Sequence, residues 1–150
     1  MSRVPPPVGQ PLPHESAHLH VSGSAAYTDD LPEPAGTLHA APGLSAVARG
    51  RLVAIDLDAV RAAPGVRAAI VAADIPGRND CGPVMHDDPI LADGEVLFHG
   101  QPLFAVAADT REQARAAARL ARIVIEPLPA RLTVDDALAA GAWVLPPVDL

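Results

Sequence analysis

The chain has 150 residues, 49% of them hydrophobic and 19% charged, with a mean hydropathy of +0.20, which fits one soluble globular domain and excludes disorder and collagen. Its eleven basic residues are all arginine and face eighteen Asp and Glu, for a formal charge of -7, so the clustered positive charge that nucleic-acid binding needs is absent. Cys81 is the one cysteine, which excludes an internal disulfide, a cysteine-rich zinc site and a complete iron–sulfur ligand set within this chain.

Aromatic residues make up only 3%, so the expected core is built from closely spaced layers with small side chains between them. The first thirteen residues carry one arginine and several prolines but no apolar h-region, and nowhere do eighteen apolar residues run together. Neither a leader nor a membrane span is expected, and a reducing, cytoplasmic setting fits. Residues 1–13 read as a proline-rich extended arm, 14–143 as the domain, and 144–150 as the start of a linker. Strands are expected at 38–44 and 95–98. Two passages read as βαβ units. In the first, Leu52, Val53, Ile55 and Leu57 form a strand, Asp58 caps a short helix, Pro64 and Gly65 end it, and 66–71 is the second strand. In the second, 103–108 is a strand, Asp109 and Glu112 have capping-box spacing, and Ala114, Ala117, Ala118 and Ala121 form one helical face before a strand at 123–126. A last helix is expected at 134–140, between the cap Thr133 and the stop Gly141. The fold class is α+β, with several short strands in a mixed sheet and about three helices.

Several motifs have two readings each. His14-Glu15-Ser16-Ala17-His18 matches H-E-x-x-H, which on a helix would present two zinc-binding imidazoles and a general base. Pro11 and Pro13 lie just upstream, and 21–23 has strand and turn character, so the required helix is not expected and the match reads as chance. Asp29-Asp30 and Asp87-Asp88 could work as acid and base or hold a cation, but beside prolines they read as turn and cap residues. Arg111, Arg115, Arg119 and Arg122 form a stripe that is either a solvated helix face or a docking surface for an acidic partner. A nucleophilic Cys81 would need a histidine, with His86 and His99 as candidates; an inert thiol is the default.

The string Gly23-Ser24-Ala25-Ala26-Tyr27-Thr28-Asp29-Asp30-Leu31-Pro32 resembles the opening of the molybdenum-binding subunit of xanthine dehydrogenases and aldehyde oxidases. Further segments follow in that family's order, among them Ala73-Asp74-Ile75-Pro76-Gly77-Arg78-Asn79-Asp80, Gly100-Gln101-Pro102 and Glu126-Pro127-Leu128-Pro129-Ala130. The resemblance runs from about residue 9 to 145, and Pro11 to Ala17 bring it close to the bacterial xanthine dehydrogenase large subunit. One stretch, Ala46-Val47-Ala48-Arg49-Gly50, departs from the family pattern, within what is read as a strand.

The resemblance implies the N-terminal α/β hammerhead domain of a molybdenum hydroxylase that oxidises purines or aldehydes. It implies molybdopterin, iron–sulfur clusters and FAD in the intact enzyme but no cofactor in this chain, and as partners a molybdopterin-binding domain or chain and an iron–sulfur/FAD subunit. The family's catalytic and cofactor-binding residues lie downstream, so none maps here and Gln101 is not a cofactor ligand. What the resemblance leaves to this segment is domain assembly and a substrate-access loop containing Asn79, Pro83, Val84, Met85 and His86. The isolated chain is expected to be inactive, with no nucleic acid or membrane among its partners. Two rivals stand beside this reading: a small zinc hydrolase built on His14, Glu15 and His18, and a non-catalytic binding module.

Overall fold

The structure is a computed structural model that describes residues 8–143. The expected linker at 144–150 and the first seven residues of the expected arm lie outside the described residues. The chain separates into two compact units, the first ending at Ala35 and the second beginning at Gly36.

Among its described residues the first unit has none that is fully buried. Its one α-helix, α1 (Ala17–Ser22), ends on Gly23 at φ 73°, where the Gly23 and Ser24 amides bond back to the carbonyls of His20 and Leu19. A left-handed residue followed by that pair of bonds is the usual glycine stop of a helix. The expected strand and turn character at 21–23 is therefore corrected to a helix end. The prolines at 11 and 13 restrict only what precedes α1, and Gly23 closes the helix behind them. Further on, Tyr27 donates its backbone N–H to Asp30 Oδ2 at 2.9 Å, closing a single 3-10 turn, Thr28–Asp30.

The described residues of the second unit form six strands and three α-helices: β1 (His39–Leu44), β2 (Gly50–Asp56), α2 (Asp58–Arg61), β3 (Val66–Val71), β4 (Glu95–Val96), β5 (Pro102–Ala108), α3 (Arg111–Ala118), β6 (Arg122–Pro127) and α4 (Val134–Ala139). One sheet has the order β1-β5-β3 and the other β4-β2-β6. All pairings are antiparallel. Successive strands alternate between the sheets, so each connection leaves one sheet and enters the other.

That alternation overturns the two βαβ readings: β2 and β3 lie in different sheets, as do β5 and β6. The length of the connection explains the first correction, and strand pairing the second. The nine residues between β2 and β3 fall short of the dozen or so that a parallel crossover takes; the thirteen between β5 and β6 do not, and there the antiparallel pairing of β6 with β2 decides.

The caps differ from expectation in two places. Leu57 occupies the N-cap position of α2, and Asp56 Oδ1 accepts the Asp58 amide at 2.9 Å. At α3 the cap is Thr110, whose hydroxyl accepts the Gln113 amide at 3.2 Å. Asp109 instead takes a two-point bond from Arg67, Nε to Oδ1 at 2.7 Å and Nη2 to Oδ2 at 2.9 Å. That bond holds the Asp109 carboxyl below its ordinary range and ties β3 to the end of β5. Thr133 does cap α4, accepting the Asp136 amide at 3.1 Å. The 46–50 stretch is a bend before β2 for all but Gly50, with Ser45 buried beneath it and bonded to Val47 through its hydroxyl.

The core lies between the sheets and under α3. Leu103, Phe104, Val106 and Ala108 of β5 are buried, together with Val60, Val96, Ala114 and Ala117. Ala118 and Ala121 pack against them from partly buried positions, so the expected alanine face of α3 is the packed face. Phe104 stands opposite Gly43 on β1 and Val71 on β3, and a Cβ on Gly43 would overlap the Phe104 ring. Overfilling a packed core costs about 1–3 kcal/mol. Gly43→Ala is expected to lose stability in that range, read as a lower urea midpoint at unchanged m-value; an unchanged midpoint would show that the ring has room to move.

Candidate functional site

The loop 79–88 is held by its own polar side chains. Asn79 donates Nδ2–H to the Leu91 carbonyl at 2.7 Å and accepts the Leu91 amide on Oδ1 at 2.9 Å. Leu91 and Ala92 are buried, so this clamp fixes the loop base to the core edge. Asp80 organises the interior: Oδ1 accepts the amides of Gly82 at 2.9 Å and Asp88 at 3.3 Å, and Oδ2 accepts from His86 Nδ1 at 2.7 Å. The Cys81 amide donates to the Asp88 carbonyl at 2.9 Å and closes the neck. A Cβ on Gly82 would overlap the Met85 carbonyl, so the turn has room only for glycine. The Gly82 amide is the largest influence holding the Asp80 carboxyl below its ordinary range, with His86 and Asp88 adding to it against partial desolvation.

The five expected loop residues thus share one loop with different duties. Asn79 anchors the base, His86 is turned back onto Asp80, and Pro83, Val84 and Met85 are exposed, Val84 by 84% and Met85 by 59%. Asp80 is the residue that sequence reasoning missed. An aspartate two residues before a glycine is a side-chain-to-backbone turn signal, and Asp80-Cys81-Gly82 carries it.

The other candidates separate. Cys81 Sγ donates to the Asp88 carbonyl at 3.4 Å. Partial desolvation, then the Asp88 carboxylate, push the thiol up, so Cys81 stays a protonated thiol. His86 serves Asp80, while His99 lines a different cleft of about 350 Å³ with Leu97, Phe98, Leu132 and Arg49. His14 and Glu15 precede α1 and His18 lies on it, so H-E-x-x-H is not carried on one helix. The His14 ring packs edge-on against His20, centroids 5.3 Å apart, and His20 Nδ1 meets the Tyr27 hydroxyl at 3.1 Å. Among the described residues no three His, Cys, Asp or Glu side chains are grouped to hold a metal ion. Asp30 has its turn duty, and Asp88 serves the loop through its backbone. Arg111, Arg115, Arg119 and Arg122 are exposed and form no ion pair among the described residues. Arg115 and Arg119 line a groove of about 600 Å³ beside β1.

These residues do not fit a molybdopterin or an iron–sulfur cluster. The chain's one thiol is bonded to a carbonyl, and Gln101, 1% exposed, commits Oε1 to the Leu97 amide at 2.7 Å. No helix among the described residues is long and apolar enough to cross a membrane.

The lowered Asp80 pKa fixes the sign of a pH effect. A carboxyl whose folded pKa is depressed stabilises fully above its unfolded value, and that contribution is lost as pH falls through the folded value. The Gly82 amide resonance is therefore expected to hold its position as pH falls through the ordinary carboxylate range and to move only below it. Movement within the ordinary range would contradict the assigned bonds. Alkylation of Cys81 by iodoacetamide at neutral pH is expected to be slower than that of free glutathione.

Comparison with known proteins places this geometry. The sequence pattern described as aldehyde oxidase and xanthine dehydrogenase, a/b hammerhead domain, matches residues 22–129. A xanthine dehydrogenase of Oryza sativa subsp. japonica is 44% identical over 136 residues, 91% of this chain and 10% of that protein. A nicotinate hydroxylase of Emericella nidulans is 38% identical over 139 residues, covering 91% of this chain and 10% of its own length. Among solved structures, the aldehyde oxidoreductase from Desulfovibrio gigas aligns with a TM-score of 0.73 at 33% identity, over 83% of this chain and 15% of its own. A Cu,Mo-CO dehydrogenase aligns at 0.73 and 30% identity, over 86% and 16%. The chain spans about a tenth of the length of the curated relatives it matches. With its alternating sheets and its pattern of matched residues, it belongs to the hammerhead-domain family of aldehyde oxidases and xanthine dehydrogenases.

Proposed function

We propose that this chain is the hammerhead portion of a cytoplasmic molybdenum hydroxylase of the xanthine dehydrogenase type, one that oxidises a purine or an aldehyde. Likeness to a xanthine dehydrogenase along 91% of the chain carries the reading. The hydroxylation chemistry belongs to the molybdopterin-, iron–sulfur- and FAD-binding portions that complete such an enzyme. This chain contributes assembly surface and one wall of the substrate passage. Two features support that division of labour. Leu97, Phe98 and Leu132 are 53%, 52% and 77% exposed around one cleft, an apolar grouping of the kind that marks an interaction surface. Pro83, Val84 and Met85 are presented on a loop whose base is clamped by Asn79 and whose interior is fixed by Asp80, an apolar rim on a rigid support.

Reading the coding DNA past Leu150 tests the proposal directly. An open frame running into a molybdopterin-binding region, or such a frame beside it, is the expected result; a stop with neither leaves a binding module and ends the enzymatic reading. In the completed enzyme, Val84→Asp with Met85→Asp is expected to raise KM for a neutral heterocyclic substrate by about tenfold with little change in kcat, as loss of uniform binding does. Equal kinetics for the variant and the parent would remove this loop from the passage.

A further inference from the structure

The groove beside β1 combines features found together nowhere else among the described residues. Its first wall is the strand segment from Ala40 to Leu44, and among the described residues β1 is an edge strand, with β5 on one side and no strand on the other. Its second wall is α3, from which Arg115, Ala118 and Arg119 face the groove, one turn apart on one helix face. Two arginines at that spacing repel each other. Four of the chain's other arginines are neutralised: Arg49 by Glu95, Arg51 by Glu126, Arg61 by Asp58 and Arg67 by Asp109. The chain holds eighteen acidic residues, yet none reaches Arg115 or Arg119 among the described residues. Arg115 and Arg119 are exposed cations without an acidic partner among the described residues, and so are open to negative charge from outside the chain.

We propose that this groove is the docking site for an extended, acidic segment of a partner polypeptide, its carboxylates paired with Arg115 and Arg119 and its backbone laid along β1. The strand wall sets the extended form: four residue steps from Ala40 to Leu44 run roughly 13 Å, the reach of five extended residues. Pro42 has no N–H to donate, so main-chain pairing along β1 is interrupted at its middle. The guanidinium groups, which take carboxylates at two points, therefore supply most of the selectivity, and Ala40, Leu44 and Ala118 give an apolar floor. The partner's role rests on the reading above, in which this chain is one part of a larger assembly; the groove's preference does not.

The test uses the 150-residue chain and a fluorescein-labelled decapeptide of alternating glutamate and valine, with the lysine–valine peptide as control. Anisotropy is expected to show saturable binding of the glutamate peptide, weakened by salt. Arg115→Glu with Arg119→Glu is expected to reduce that binding by about tenfold or more and to transfer the preference to the lysine peptide. Because a charge reversal can disturb α3, the milder Arg115→Gln with Arg119→Gln is measured alongside, and amide shifts at 40–44 are mapped in the unaltered chain. No saturable binding, equal binding by both variants, or shifts confined elsewhere would each overturn the proposal. Displacement of the peptide by an equal concentration of sulfate would replace it with a simple anion site, and a dimer that dissociates on Arg115→Gln with Arg119→Gln would replace the partner with a second copy. A chain that binds the peptide but never joins a molybdopterin-binding polypeptide would sink the assembly reading and leave the groove's chemistry intact.

Discussion

The second unit closes around a single aromatic ring. Of two phenylalanines, Phe104 is fully buried and Phe98 is half exposed, so Phe104 is the largest side chain the core has. It sits on β5, the central strand of its sheet, and its cross-strand neighbours are a glycine and a valine. The ring fills the space that Gly43 leaves empty, while on the helix side Ala114 and Ala117 let α3 approach closely. A core with one large group and many small ones depends on close approach, because contacts fall away quickly with distance. The sheets must therefore be small and near one another, and a chain passing from one to the other at every connection gives each side of the core strands from all parts of the sequence.

The strands were legible in the sequence and their partners were not. The apolar runs at 52–57, 66–71, 103–108 and 123–126 mark β2, β3, β5 and β6 to within two residues. A local pattern records which face of a strand is apolar, but not which strand lies beside it. Only the first βαβ reading conflicts with a length visible in the sequence, since nine residues between β2 and β3 are fewer than the dozen or so a parallel crossover takes. The caps failed through competition: Asp109 and Thr110 are both able to cap α3, and the cross-sheet demand of Arg67 decides between them. The helix α1 is masked in the sequence by the prolines just upstream, although their restriction falls mainly on their own position and the one before.

The loop 79–88 was legible only by resemblance. Its rim of Pro83, Val84 and Met85 has no periodicity, and the Asn79 clamp reaches twelve residues ahead to Leu91, a distance no local signal spans. Asp80 carries the one signal that was present, the aspartate–x–glycine turn. The loop's rigidity comes from backbone amides gathered on that carboxylate, and the exposed apolar tip takes no part in it. Support and rim are thus separate: the residues that hold the shape are polar and turned inward, while those that face outward are free to suit whatever passes them.

Charge divides the same unit in a second way. Three arginine pairs bind separate parts of this chain to one another: Arg49–Glu95 crosses from the bend to β4, Arg51–Glu126 joins neighbours in the β2/β6 register, and Arg67–Asp109 joins β3 to the start of α3. Exposed pairs of this kind contribute little to stability individually, and their main effect is on register and orientation. The arginines of α3 have no such duty. Their helix is already fixed by Ala114 and Ala117 beneath it and Thr110 at its start, so the outer face is unconstrained by folding. On a chain of net charge -7, a local positive surface is attractive at short range and surrounded by repulsion, which favours a partner whose negative charge is concentrated in one narrow segment over one that is acidic throughout.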